Sequence, residues 1–358
     1  KELPAEYKIL GFEPEPWTDV DSLVTLNLLA LNLCGNWREE INRLMLTEEF
    51  DKKTADQVMP NYPEDGINTI NPAIKADAVV LSSLNTLFSS IEKELKLGSR
   101  GVGSNAWAIS GKYTSSGHPI LANDPHLGTQ IPSNFYVANI KGRMLHVAGG
   151  TLPGLPFVIS GHNDHISWGT TNMMADTQDL YKEIINGDNP DYYQLNGEMV
   201  PMTVRIEDIK VKAKFPEFLR DRLEPVKWKV RATQRGPVIS DVTGHLSQPM
   251  SLQWTALVEQ NKTYESFRHF NYATDWNSFQ ASFDDYVAPA LNMVYADAAG
   301  NIGYLGVGKI PVRSKGNGSY PVPGWTNDYQ WTGWIPANEM PRILNPESGF
   351  VINANNRV

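Results

Sequence analysis

A glycine-rich run that ends in a serine can do chemistry on its own chain. Gly98-Ser99-Arg100-Gly101-Val102-Gly103 leads directly into Ser104. Glycines give the backbone freedom to bring the Ser104 hydroxyl onto the preceding carbonyl. Attack there shifts the acyl group from nitrogen to oxygen, cuts the chain between Gly103 and Ser104, and frees the Ser104 amine. A free α-amine has a reference pKa of roughly 7.7–8.0, suited to a base near neutral pH. The bland alternative is a plain Gly-Ser loop, and these residues alone leave both readings open. His162, Asp164 and His165 suggest zinc at first sight. They lack a matched set of partners, and His162 belongs to the turn-like Gly161-His162-Asn163. A conventional Ser-His-Asp hydrolase would announce itself by a Gly-x-Ser-x-Gly elbow, and the sequence has none.

The elements that must position Ser104 change character at the glycine run. Before it the chain reads as helical. Thr18 or Asp19 caps a helix from about Val20 into the forties, with Leu23, Leu26, Leu29, Leu33, Trp37, Ile41 and Leu44 at three-to-four spacing. Pro60, Pro63 and Gly66 mark a loop, and a second helix is expected from about Pro72 to Leu97. From Ser104 onward short apolar runs alternate with turns, as in a sheet-rich domain. Residues 181–235 read as an excursion. Asn196-Gly197 closes a hairpin there, and Val204 to Val211 alternates as a half-exposed strand with a bulge expected at Glu207-Asp208. Helical sequence returns at about Thr263 to Tyr286. Strands follow at Met293-Val294-Tyr295-Ala296 and Ile302-Gly303-Tyr304-Leu305.

Composition narrows the classes. The 358 residues are 41% hydrophobic and 20% charged, an ordinary globular balance with room for a large core. A formal charge of −9 with no Lys/Arg-rich block argues against general nucleic-acid binding. No apolar run is long enough to span a bilayer, so no transmembrane segment is expected. Cys34 is the single cysteine, which rules out an internal disulfide; in an apolar helix it reads as a small core residue. The opening Lys1-Glu2-Leu3-Pro4 and the strand-like ending lead us to expect a fragment of something longer.

Ser104 also stands at the head of an ordered series. Gly103-Ser104-Asn105-Ala106-Trp107 is followed by Leu121-Ala122-Asn123-Asp124-Pro125-His126-Leu127, then Gly154-Leu155-Pro156-Phe157 and Gly161-His162-Asn163. Trp168-Gly169-Thr170-Thr171-Asn172 and Asp176-Thr177-Gln178-Asp179-Leu180-Tyr181 come next. The series ends with Asn292-Met293-Val294-Tyr295-Ala296-Asp297 and Gly300-Asn301-Ile302-Gly303-Tyr304. Across nearly the whole chain this resembles the penicillin amidase family, which includes cephalosporin and acyl-homoserine-lactone acylases.

The resemblance implies an α+β fold, the four-layer αββα sandwich of N-terminal-nucleophile hydrolases, entered by a helical small-subunit segment. Residues 1–70 would end the small subunit, 71–103 would be a spacer, and 104–358 would begin the large subunit. The reaction implied is hydrolysis of an N-acyl amide, from a β-lactam, an acyl-homoserine lactone or a related compound, after self-cleavage at Gly103-Ser104. Ser104 would be the nucleophile and its freed amine the base. The backbone N–H of Asn172 and the side-chain amide of Asn292 would form the oxyanion hole. His126 would hold the Ser104 amine or hydroxyl, and Arg313 would support the site. Ala30 and Cys34, with Leu127, match acyl-pocket positions and are small or aliphatic, which implies a pocket open to aliphatic or larger acyl groups. A structural calcium ion is implied, held by Asp176, the Gln178 carbonyl, Asp179 and Glu40, and tying the two subunits together; no organic cofactor is implied. Relatives of this kind work in the periplasm or outside the cell. The alternative is a homologue that keeps the fold without processing or catalysis and serves as a binding or scaffold domain.

Overall fold

The computed structural model describes residues 3–10, 13–59, 103–128, 133–211, 224–243 and 249–355. The helix expected from about Pro72 to Leu97 lies outside these residues, as does the glycine run up to Val102.

The first long helix of the sequence is two helices. Asp19–Leu33 stops at an extended Cys34, and Trp37–Glu49 restarts after Gly35 and Asn36. Thr18 begins the first: its backbone N–H and hydroxyl both donate to the Asp21 carboxylate at 2.7 Å, the reciprocal arrangement of a helix start. The break has a cause at Asn36, whose side chain donates to Asp176 Oδ1 and to the Gln178 carbonyl, each at 2.7 Å. It also re-aims the apolar stripe. Leu26, Leu29 and Ala30 are buried, whereas Leu23, expected in the core, is about half exposed.

A seven-stranded antiparallel sheet forms the centre. Its order is Arg342–Leu344, Ile302–Val307, Leu291–Asp297, Ile166–Asn172, Ser160–His162, His146–Thr151 and Tyr136–Lys141. One face packs on helices Thr263–Asn271 and Trp276–Ala281, the helical stretch expected at Thr263 to Tyr286, here interrupted between Asn271 and Trp276. The rings of Phe157, Trp168, Phe267, Phe270, Phe279, Phe283 and Tyr295 fill that interface. The other face meets a three-stranded sheet of Ile120–Pro125, Ser104–Ile109 and Phe350–Asn353.

The two-residue period of a strand decides what meets there. In Leu291–Asp297 the odd-numbered Leu291, Met293 and Tyr295 face the helices, while Val294 and Ala296 face the second sheet. Asn292 shares their side. In Ser104–Ile109, Ala106 and Ala108 face inward, and Ser104 lies on the same face. Small residues let the layers approach closely. A Cβ added at Gly169 would sit 2.9 Å from the Asn123 side chain. The outer face of the three-stranded sheet carries Ile120, Phe350 and Ile352, all well exposed among the described residues.

In the excursion, Tyr192–Leu195 and Glu198–Pro201 form the expected hairpin. Asn196 and Gly197 have φ of 50° and 88°, the left-handed pair that a tight two-residue turn requires. Thr203–Ile209 pairs with Val226–Thr233 in unbroken register, so no bulge occurs at Glu207-Asp208. Every residue of Thr203–Ile209 except Glu207 is exposed, and a strand with no buried face has no register to correct.

Candidate active site

Ser104 opens its strand and is held from several sides by neutral groups. Its backbone N–H donates to Asn355 Oδ1 at 2.5 Å, and Asn355 Nδ2 lies 3.2 Å from Ser104 Oγ. The same Nδ2 donates to the Asn172 carbonyl at 2.7 Å. The Gly103 carbonyl, the group a Ser104 hydroxyl would attack, accepts the His126 backbone N–H at 2.8 Å. A Cβ at Gly103 would come within 3.1 Å of Asn355 Oδ1, so glycine suits this position.

Behind this lies a buried amide network. Asn292 is fully buried. Its Oδ1 accepts the Tyr304 hydroxyl at 2.6 Å, and its Nδ2 reaches Thr171 Oγ1 at 3.0 Å and both Asn172 O and Asn353 Oδ1 at 3.2 Å. Asn353 Oδ1 also accepts from Thr171 Oγ1 at 2.6 Å and from the Asn355 N–H at 3.0 Å. Asn123 clamps the layers: its side chain donates to Asn105 O and Thr170 O and accepts from Thr170 N. Met173 N–H bonds to Ala290 O. The alternation of an antiparallel ladder therefore turns the Asn172 N–H away from Leu291.

Ser104, Asn172 and Asn292 are thus brought together, with two qualifications. The Asn292 donor is engaged by protein acceptors as folded, so a substrate oxygen would have to replace one of them. The Asn172 side chain has work of its own. Its Nδ2 donates to Leu33 O at 2.7 Å, capping one of the last carbonyls of Asp19–Leu33.

Other expected site residues are placed differently. The His126 ring is turned to Asp124, Nε2 to Oδ2 2.9 Å, and lies 3.4 Å from Asn105 Nδ2. His126 meets the Gly103-Ser104 junction through its backbone, because Ile120–Pro125 pairs with the Ser104 strand up to Ser104↔Pro125. Ala30 and Cys34 do not line an open pocket. They share a core with Trp37, Ile41, Leu180, Trp254 and Val287, and burial pushes the Cys34 thiol pKa up. Leu127 is half-buried. Among the zinc-like residues, Asp164 pairs instead with His146 at 2.8 Å.

Arg313 does not reach the Ser104 network; it fills the place expected for calcium. Its Nε donates to Asp179 Oδ2 at 2.7 Å, and its Nη2 donates to Asp176 Oδ1 and Asp179 Oδ1 at 2.9 and 3.0 Å. Trp331 Nε1 and Asn36 Nδ2 occupy further lone pairs of Asp179 and Asp176. Glu40 is buried beside them, with Oε2 on the Leu180 N–H and Oε1 without a hydrogen-bond partner. Burial first, then the charges of Asp179 and Asp176, push its carboxyl well above the ordinary range. A Cβ on Gly318 would collide with Asp176, Asp179 and Arg313, so its bare backbone closes over the cluster. The expected ligands are therefore together, with N–H donors on the Asp176, Gln178 and Asp179 oxygens and Glu40 Oε1 left without one. As arranged, the two aspartates are closed around the Arg313 guanidinium. Among the described residues, no group of three or more His, Cys, Asp or Glu side chains is placed to hold a metal.

The sequence reading missed Asn353, Asn355, Asn123 and Tyr304. One local signal was present. Asn353-Ala354-Asn355-Asn356 puts three asparagines at the end of a strand, where they are disfavoured unless their side chains bond elsewhere.

A family model for penicillin amidase matches residues 1–358. An acyl-homoserine lactone acylase, QuiP, from Pseudomonas fluorescens is 30% identical over 366 residues, 99% of this chain and 43% of that protein. A penicillin acylase 2 proenzyme from Pseudomonas sp. is 29% identical over 365 residues, 99% of this chain and 45% of that protein. Among solved structures, a thermostable penicillin G acylase from Alcaligenes faecalis aligns with TM-score 0.61 and 25% identity, covering 71% of this chain and 44% of that one. The chain spans less than half the length of the curated relatives it matches. Among the described residues no helix is long and apolar enough to cross a membrane.

Proposed function

The chain belongs to the penicillin amidase family, and from that premise we propose that it is part of an acylase that hydrolyses N-acyl amides with Ser104 as nucleophile, after cutting itself at Gly103-Ser104. The observation that carries the reading is the junction itself. Ser104 stands at the first position of its strand, its nitrogen and hydroxyl held by one carboxamide. The Gly103 carbonyl is polarised by the His126 N–H.

In self-cleavage, Ser104 Oγ bonds to the Gly103 carbonyl carbon and the Gly103–Ser104 C–N bond breaks. The proton leaving Oγ ends on the Ser104 nitrogen, which becomes the free amine. Water then hydrolyses the ester, giving the Gly103 carboxylate and restoring the hydroxyl. In turnover, Oγ attacks the acyl carbon of the substrate and the freed amine serves as base, making a weak nucleophile competent. The Asn172 N–H and Asn292 Nδ2 stabilise the negative charge on the acyl oxygen. The cation of the neighbouring junction is Arg313.

Residues 1–70 then belong to the small subunit, 71–103 to a spacer, and 104 onward to the large subunit, in a protein exported to the periplasm or beyond. The exposed Ile120, Phe350 and Ile352 call for a further covering layer, in keeping with a four-layer sandwich. The substrate class, supported by the names of the relatives, is an acyl-homoserine lactone or an acylated β-lactam.

The test is the denatured mass of the full-length gene product, wild type beside Ser104→Ala. Two wild-type fragments, the larger beginning at Ser104, against one uncut variant chain are expected. An uncut wild-type chain points instead to a homologue that keeps the fold as a binding domain.

A further inference from the structure

We propose that the Asn172 side chain is a positioning residue that couples the end of helix Asp19–Leu33 to the oxyanion donor. The inference rests on the acylase reading above and goes beyond it. That reading uses only the backbone N–H of Asn172, whereas this one assigns work to its carboxamide.

Both ends of the carboxamide are committed. The Leu33 carbonyl can only accept, and it faces Nδ2 at 2.7 Å. The Met174 N–H can only donate, and it faces Oδ1 at 3.1 Å. A flipped amide would set like against like at both contacts, so the partners settle its orientation. Met174 has φ of 56°, the left-handed region, and the Oδ1 contact closes the turn that holds it there. Leu33 is the last residue of its helix. The chain is extended at Cys34, which leaves the Leu33 carbonyl for a donor from outside the helix.

The backbone of the same residue is tied into the Ser104 network. The Asn172 carbonyl accepts from Asn355 Nδ2 at 2.7 Å and from Asn292 Nδ2 at 3.2 Å. Its neighbour Met173 is fixed by an N–H bond to Ala290 O. Side chain and backbone of Asn172 share one α-carbon. A shift of the helix end therefore moves the peptide N–H that the acyl oxygen is to use.

Attachment alone does not require this bond. Ser22 Oγ already fastens the helix to Gly154 O at 2.6 Å. Asn36, just past the helix end, is fastened to Asp176 and the Gln178 carbonyl. Between these two anchors, the Leu33 bond reaches a strand end that also carries an oxyanion donor. Once the chain is cut at Gly103-Ser104, Leu33 and Asn172 stand on different polypeptides. The contact then becomes a tie across the subunit boundary, through which the small subunit sets the oxyanion geometry.

The experiment uses the full-length gene product as wild type, Asn172→Ala and Asn172→Asp. Both variants keep the backbone N–H. Asn172→Ala loses both side-chain contacts, whereas Asn172→Asp keeps the acceptor for Met174 and sets a carboxylate against the Leu33 carbonyl. Self-cleavage is followed by denatured mass, and competent serines are counted with a sulfonyl fluoride. Hydrolysis of decanoyl 4-nitroanilide gives KM and kcat per counted site. Nonylboronic acid, which forms a tetrahedral adduct with a serine hydroxyl, gives an inhibition constant. Losing the tie should lower kcat per site by roughly tenfold to a hundredfold in both variants, the effect of misplacing a reacting group by about an ångström. KM should barely move, while the boronic acid should lose affinity in step with kcat, because both report the tetrahedral state. A purely structural cap would lower the melting temperature and the number of counted sites, and would leave kcat per site and boronic acid affinity alone. If wild type cleaves and turns over, and both variants match it in those two quantities, the inference is overturned while the acylase reading stands. A raised KM with unchanged kcat overturns it as well. If wild type neither cleaves nor turns over, the acylase reading falls and takes this inference with it. Should Asn172→Ala fail to mature, Asn172→Asp decides alone by the same criterion.

Discussion

The surroundings of Ser104 and of Arg313 lie on either side of the short stretch from Asn172 to Asp176, yet they are built from opposite materials. Around Ser104 the partners are amides, hydroxyls and backbone groups: Asn355, Asn353, Asn292, Thr171 and Tyr304. Around Arg313 the partners are Asp176 and Asp179, with Glu40 buried alongside. Neutral groups can fix an atom's position without imposing a charge on it, which suits a hydroxyl and an amine that must change protonation state. A buried guanidinium among carboxylates does the reverse. It holds its partners firmly and penalises any change of charge. The first region suits the proposed chemistry, and the second fastens helix Trp37–Glu49 and Asn36 to Asp176 and strand Gln178–Lys182.

The sharpest way to break that contrast is to remove the guanidinium. Arg313→Met should cost about 3–5 kcal/mol of stability, because it strands paired carboxylates in a buried place. Urea unfolding measures this. In the same measurement, chelation by EDTA should leave the wild-type midpoint unmoved, whereas added calcium should recover part of the loss in the variant. A wild-type midpoint that falls with EDTA would give the junction to a metal after all.

Asn292→Ala strikes the other region. It should lower kcat by about two to three orders of magnitude, the effect of losing one oxyanion donor, measured by hydrolysis of decanoyl and phenylacetyl 4-nitroanilides. A variant with unchanged kcat would mean that the engaged Nδ2 never turns to the substrate.

The smallest effect expected is a difference in pH response. The Glu40 carboxyl sits well above its ordinary value in the folded state. Folded protein therefore holds this proton more tightly than unfolded chain. The resulting stability is complete below the ordinary carboxylate range and is lost as pH climbs through the raised folded value. Thermal melting of wild type should fall over that climb, and Glu40→Gln should flatten the fall. Equal slopes in the two proteins would show that Glu40 does not titrate there.

Sequence alone reached one region better than the other. Ser104 was readable from the glycine run before it, and Asn292 through the resemblance of its ordered motif; strand alternation then puts both on one interior. Asn355 was not readable in the same way. Its place depends on Phe350–Asn353 pairing with Ser104–Ile109, a contact between distant segments that no local period encodes. Arg313 was assigned to the wrong neighbourhood for a related reason: a long side chain on a short strand reaches whatever charge the fold brings near, here Asp176 and Asp179. The apolar stripe of the first helix was visible, but the break at Gly35 and Asn36 was not. Its cause is a hydrogen bond from Asn36 to Asp176, 140 positions later.

The pairing of the Ser104 strand with Phe350–Asn353 sets a clock on the ribosome. Ser104 and Asn355 are separated by 251 positions. At synthesis rates of about 5–20 residues per second, the serine emerges on the order of 10–50 s before the asparagine hydrogen-bonded to it. Through that interval the Gly103-Ser104 bond exists without its finished surroundings. Under the proposed self-cleavage, the order of translation would keep the nascent chain whole until the domain around Ser104 has been made.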